Sequence, residues 1–207
     1  MTKEPLRFKE AFTEGWQVVN KQFGYFFLLI LALTAVQLVE TGIEKLLAAS
    51  GWGYADLMGY ALGFVVQMVM TLAFIAACVG VVAGQQPKAR DLWKPGQALE
   101  FVIASALALI ITALGLLFLV VPGLVAMSRL SQIQFLILEQ DLSAVEALKA
   151  SYALTDGYTV PLLGFIILQV LAVTAGLLAF GVGVVIAFPV CCVASVSVYR
   201  QLTAQAV

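Results

Sequence analysis

Residues 116–157 read LLFLVVPGLVAMSRLSQIQFLILEQDLSAVEALKASYALTDG. An apolar run is interrupted at Pro122-Gly123, resumes with Arg129 inside it, and then gives way to an acidic turn around Glu139 and Asp141. Proline lacks a backbone N–H and glycine tolerates tight backbone, so this pair predicts the turn between two apolar helices. Ser143 and Glu146 have capping-box spacing, and Gly157 is suited to the left-handed turn that ends a helix. The segment therefore predicts a helical hairpin followed by an amphipathic helix over residues 143–156.

The rest of the chain extends this pattern. Its 207 residues are 62% hydrophobic and 11% charged, far from the balance of a water-soluble domain. The mean hydropathy is +1.03. Six apolar runs approach the roughly 20 residues that cross a bilayer: Phe23 to Val39, Leu57 to Val82, Ala98 to Val121, Gly123 to Leu138, Val160 to Phe180 and Val182 to Gln201. No alternating strand pattern accompanies them, and lipid offers no partners to backbone N–H and C=O groups, so helices are favoured over a barrel. The expected fold is all-α, a single integral membrane bundle over residues 1–207. The charged, amphipathic first 22 residues do not read as a cleaved signal.

Basic residues set the expected orientation. Lys3, Arg7, Lys9 and Lys21 precede the first run, Lys88, Arg90 and Lys94 follow the second, Lys149 follows the fourth, and Arg200 lies near the end. The opposite loops carry Lys45 beside Glu40, Glu44 and Asp56. The positive-inside rule then places both termini in the cytoplasm. Trp16, Trp52 and Trp93, with Tyr25, Tyr54, Tyr158 and Tyr199, fall near expected helix ends, where a ring stays apolar while its polar group meets water.

Before the first crossing, Phe8, Phe12, Trp16, Val19 and Phe23 recur at helical spacing, with charged residues off that face. This predicts an interfacial helix over residues 1–22. Its interior EAFTEGWQVVNK, from Glu10, aligns with EALKASYALTDG, from Glu146, and ARDLW at Ala89 is a shorter echo. Three hairpins, each introduced by a surface element, are one reading; coincidence between amphipathic helices is the other.

Chemistry is sparse. Histidine is absent, which removes the commonest general base and most zinc or haem ligation, so no catalytic residue, metal site or cofactor is expected. Cys78, Cys191 and Cys192 read as small residues within apolar runs. Glu139 with Asp141 and Glu40 with Glu44 read as solvated caps, and the scattered basic residues argue against nucleic acid. Gly80 and Gly84, with Ala172 and Gly176, have the small-xxx-small spacing of close helix contact. Arg129 is the exception, because arginine at mid-bilayer costs roughly 2.5–3.5 kcal/mol on insertion scales. Two roles are open for it: binding a lipid phosphate or other anion together with Gln132 and Gln134, or a structural one, snorkelling outward or pairing with Glu40 or Glu44 across helices.

The quoted stretch resembles the signature region of YciC-like bacterial inner-membrane proteins and the related membrane domain of glycerophosphoryl diester phosphodiesterases. The likeness is strongest at Pro122-Gly123, the acidic turn, and Glu146-Ala147-Leu148 with Ser151. The resemblance implies a multi-helix domain of the bacterial cytoplasmic membrane, without the histidines a fused hydrolase would need. The expected function is non-enzymatic, with membrane phospholipids as partners. A small transporter or channel for a lipid-derived or anionic solute, or an anchor recruiting a separate enzyme through residues 88–94 and 139–156, are the alternatives; oligomeric state is open.

Overall fold

The computed structural model describes residues 5–49, 53–85, 95–178 and 182–206. The echo at Ala89, with Lys3, Trp52, Lys88, Arg90, Trp93, Lys94 and Phe180, lies outside the described residues. Among the described residues the chain is helical and contains no strand: α1 (Phe8–Lys21), α2 (Phe23–Ala49), α3 (Ala55–Val82), α4 (Pro95–Phe118), α5 (Val120–Arg129), α6 (Ile133–Gln140), α7 (Ala144–Leu154), α8 (Thr159–Leu178) and α9 (Val182–Ala206). Among the described residues, six helical stretches are long and apolar enough to cross a membrane: Phe23–Ala49, Leu57–Val82, Gly96–Phe118, Val120–Gln140, Thr159–Leu178 and Gly183–Gln205. The chain is thus a six-span helical membrane bundle.

Helix α9 is the centre of the bundle and packs against α1, α8 and α3. Val193, Val196 and Tyr199 belong to one buried cluster with Leu72, Cys78, Phe101 and Phe135, while Ala194, Val198 and Leu202 join a second with Ala11, Leu162 and Phe165. Antiparallel α8 is tied to α9 by Gln169 Nε2, which donates to Ser195 Oγ at 2.6 Å and to the Cys191 carbonyl at 3.0 Å.

The N-terminal helix is docked on the bundle as well as amphipathic. Protein covers much of its apolar side: Ala11, Gly15 and Val19, spaced four apart, are buried, and Gly15 abuts Val190 and Ala194 of α9. Phe8 and Phe12 pack on Phe165 at 5.2 and 5.5 Å between ring centroids. Trp16 and Phe23, expected on the same lipid-facing stripe, remain outward. Large apolar residues suggested a stripe, whereas small residues permit the close backbone approach. Near the start of α1, the Arg7 N–H donates to Gln201 Oε1 at 2.9 Å, so α1 begins beside the end of α9 and runs antiparallel to it.

The proposed repeat has a structural counterpart in the two amphipathic helices. Ala11 and Ala147 occupy equivalent positions and both are fully buried, and their next equivalents, Gly15 and Ser151, are buried too. Their aromatic counterparts Trp16 and Tyr152 are 54% and 55% exposed, so small residues dock and aromatic ones face out in both.

Two further expectations change. Tyr158, just before α8, and Tyr199 are packed inside protein: Tyr158 Oη donates to Gln205 Oε1, and Tyr199 Oη accepts from Gln140 Nε2 at 3.2 Å. The turn between α4 and α5 is Leu119, with extended φ −160° and ψ 135°, while Pro122 sits in the first turn of α5. Proline is tolerated there because the first helical N–H groups have no intrahelical acceptor. Gly123 serves close packing: its Cα and N would lie 2.9 and 3.0 Å from a methyl at Gly115, so the backbones of α4 and α5 nearly touch.

Candidate functional site

The fourth span is broken where the sequence reading placed a continuous helix. Helix α5 ends at Arg129, three turn residues follow, and α6 starts at Ile133. Local polar side chains explain the interruption, since hydroxyls compete for backbone groups. Ser128 Oγ donates to the Val125 carbonyl at 2.9 Å, Ser131 Oγ to the Ser128 carbonyl at 2.7 Å, and Gln132 Nε2 to Ser131 Oγ at 2.9 Å. The Arg129 carbonyl, released from the helix ladder, accepts from Ser151 Oγ at 2.7 Å and Thr155 Oγ1 at 3.2 Å of the α7 region.

Helix α7 is fixed at both ends as its sequence signals. Ser143 donates from its N–H at 3.2 Å and from its hydroxyl at 2.6 Å to Glu146 Oε2, and these bonds, with Lys149 adding a smaller attraction, hold the Glu146 carboxyl below the usual carboxylate range. Glu100 of α4 accepts from the Ala144 N–H at 2.7 Å, so carboxylates meet the positive end of the helix. Gly157 adopts φ +76°, the left-handed conformation expected of it. Asp141, read from the sequence as a solvated cap in an acidic turn, takes φ +55° after α6 and accepts from Gln97 Nε2 at 2.9 Å.

Arg129 is paired, but not with the residues named for it. Its Nη1 lies 2.9 Å from Asp156 Oδ1 and 3.4 Å from the Tyr152 carbonyl, and its guanidinium stands 4.4 Å from the centroid of the Tyr152 ring. Glu40 and Glu44 instead converge on Gly63 in the α2–α3 pair. The guanidinium thus has a counter-charge and an aromatic face in place of solvent. Gln132 is buried, with its Oε1 lacking a partner among the described residues, whereas Gln134 falls two positions on in the chain and is half-buried. Gln132 immediately precedes α6 and Gln134 lies within its first turn, both just after the break that follows Arg129.

Beside this cluster lies a cavity of about 340 Å³, bounded by Ile111 of α4, Ala126 of α5 and Leu130, and Leu148, Lys149 and Tyr152 of α7. Its walls are apolar, and Lys149 is its one charged lining residue. Such a lining accepts a hydrocarbon chain while offering a cation to an attached anion. Among the described residues, no group of three or more His, Cys, Asp or Glu is placed to hold a metal ion. The cysteines Cys78, Cys191 and Cys192 are free thiols, the first two buried. No family model matches the chain, and neither does any curated protein or solved structure.

Proposed function

We propose that the protein is a non-enzymatic component of the bacterial cytoplasmic membrane, with both termini in the cytoplasm, that holds an anionic phospholipid in the groove between α4, α5 and α7. The observation that carries this reading is the apolar cavity with Lys149 among its lining residues. An acyl chain lies along Ile111, Ala126, Leu130 and Leu148, and the phosphate meets the Lys149 ammonium. Tyr152 supplies an amphipathic ring of the kind enriched at membrane boundaries.

Supporting points are independent of one another. The chain contains no histidine, and its membrane spans leave little polar surface for a reaction centre. The start of α1 and the end of α9 share a hydrogen bond, which agrees with both termini on one side. Basic residues cluster on that side by the positive-inside reading, and the resemblance to YciC-like inner-membrane proteins points to the same membrane.

Native mass spectrometry of the detergent-purified full chain, incubated with phosphatidylglycerol or phosphatidylcholine, tests the reading. Phosphatidylglycerol should be retained in preference, and a folded Lys149→Glu variant should lose that preference. Equal retention of both lipids by the unaltered chain, or an undiminished preference in Lys149→Glu, would refute it.

A further inference from the structure

A second cavity, of about 300 Å³, lies on another side of the bundle, between α2, α3 and the first turns of α9. Thr34 and Gln37 of α2 and Gln67 and Thr71 of α3 line it together with Phe74 and Phe188. Four polar side chains gathered from two strongly apolar spans is an unusual use of sequence, because hydrocarbon cannot satisfy them. The threonine hydroxyls donate back to their own helices, Thr34 to the Ile30 carbonyl and Thr71 to the Gln67 carbonyl, each at 2.8 Å. Gln37 Nε2 donates to Glu40 Oε2, which leaves the Gln37 carbonyl oxygen for another partner.

One turn beyond this lining, Glu40 and Glu44 converge. A methyl at Gly63 would stand 2.5 Å from Glu40 Oε1 and 2.8 Å from Glu44 Oε1, so both carboxyl groups cover the same glycine of α3. Glu40 is only 6% exposed. Its carboxyl is hydrogen-bonded to Gln37 Nε2 and to Glu44, and ionisable residues within a span are functional candidates. No Lys or Arg is among the residues lining the cavity. At its other wall, Phe74 and Phe188 lie 4.8 Å apart between centroids, and Phe26 packs on Phe74. Aromatic faces attract cations, most strongly where water is excluded.

From this arrangement we infer that the α2–α3–α9 cavity is a binding site for a lipophilic organic cation. The apolar body of the ligand rests against Met70, Phe74 and Phe188, and its positive centre is drawn toward the Gln37 carbonyl oxygen and the Glu40 carboxyl. The apolar walls exclude strongly hydrated inorganic ions, and the acidic end disfavours anions of the same shape. Nothing in this site overlaps the Lys149 groove.

Tetraphenylphosphonium and tetraphenylborate, which share a shape and differ in charge, separate the charge effect from simple partitioning. Equilibrium dialysis of the purified full chain should show saturable binding of the phosphonium and none of the borate. Glu40→Gln should weaken phosphonium binding at least tenfold, and Thr71→Phe, which fills the cavity without touching the acidic pair, should abolish it even if Glu40→Gln proves unstable. Lys149→Glu should leave it unchanged, so failure of the lipid reading does not carry over. Equal uptake of the two ions, non-saturable uptake of the phosphonium, or full binding by a folded Thr71→Phe variant would overturn the inference.

Discussion

Gly15→Ala decides whether α1 belongs to the bundle or floats on lipid, because the two arrangements predict opposite signs. On a free amphipathic helix the substitution stabilises, since alanine exceeds glycine in helix propensity by about 1 kcal/mol. In the docked helix the added methyl would lie 2.7 Å from the Val190 carbonyl oxygen, a backbone atom of α9 that cannot swing aside. Its next neighbours, Val190 Cγ1 at 3.4 Å and the Ala194 nitrogen at 3.5 Å, close off a sideways shift. Restoring normal contact requires α1 and α9 to separate by roughly 0.5–1 Å, which forfeits a quarter to a half of the dispersion energy along the seam. Overpacking of this kind costs about 1–3 kcal/mol, which offsets the propensity gain and leaves a net loss of up to about 2 kcal/mol. Gly164→Ala is the matched control, since Gly164 lies within α8 with nothing inside 4 Å of the added methyl. Thermal unfolding in detergent should therefore show Gly15→Ala lowering the apparent melting temperature, Gly15→Leu lowering it further, and Gly164→Ala holding or raising it. If Gly15→Ala raised it as much as Gly164→Ala, the docking of α1 on α9 would be wrong.

Two more predictions concern the polar junction. Arg129→Gln should destabilise by about 1–2 kcal/mol through loss of a part-exposed ion pair and a cation–π contact, while Asp156→Asn, at an exposed carboxyl, should cost under about 1 kcal/mol; equal effects in thermal melts would argue against the Tyr152 contact. Ser143→Ala should cost about 1 kcal/mol at neutral pH through loss of the α7 cap. Because the Glu146 carboxyl is held below its ordinary range, its contribution is complete above the unfolded carboxylate pKa and fades as pH falls through the lowered folded value. The difference between wild type and Ser143→Ala should therefore shrink under acid conditions, and a difference that grew on acidification would contradict the assigned bonds.

The helices themselves were written in composition and period. Apolar runs near twenty residues leave the backbone no choice but helix in hydrocarbon, and the Ser143–Glu146 box and Gly157 marked the ends of α7 because capping is a local interaction between near neighbours. Partner choice was not local. Nothing within a few residues of Arg129 distinguishes Asp156 from Glu40, Pro122 reads equally as a turn or as a first-turn residue, and Gly15 looks like a weak point in a helix until Val190 is placed beside it. Tertiary packing alone decided that small residues dock α1, that Leu119 turns the hairpin, and that Lys149 and Glu40 each stand beside a separate cavity, because those outcomes depend on which backbones approach within van der Waals contact.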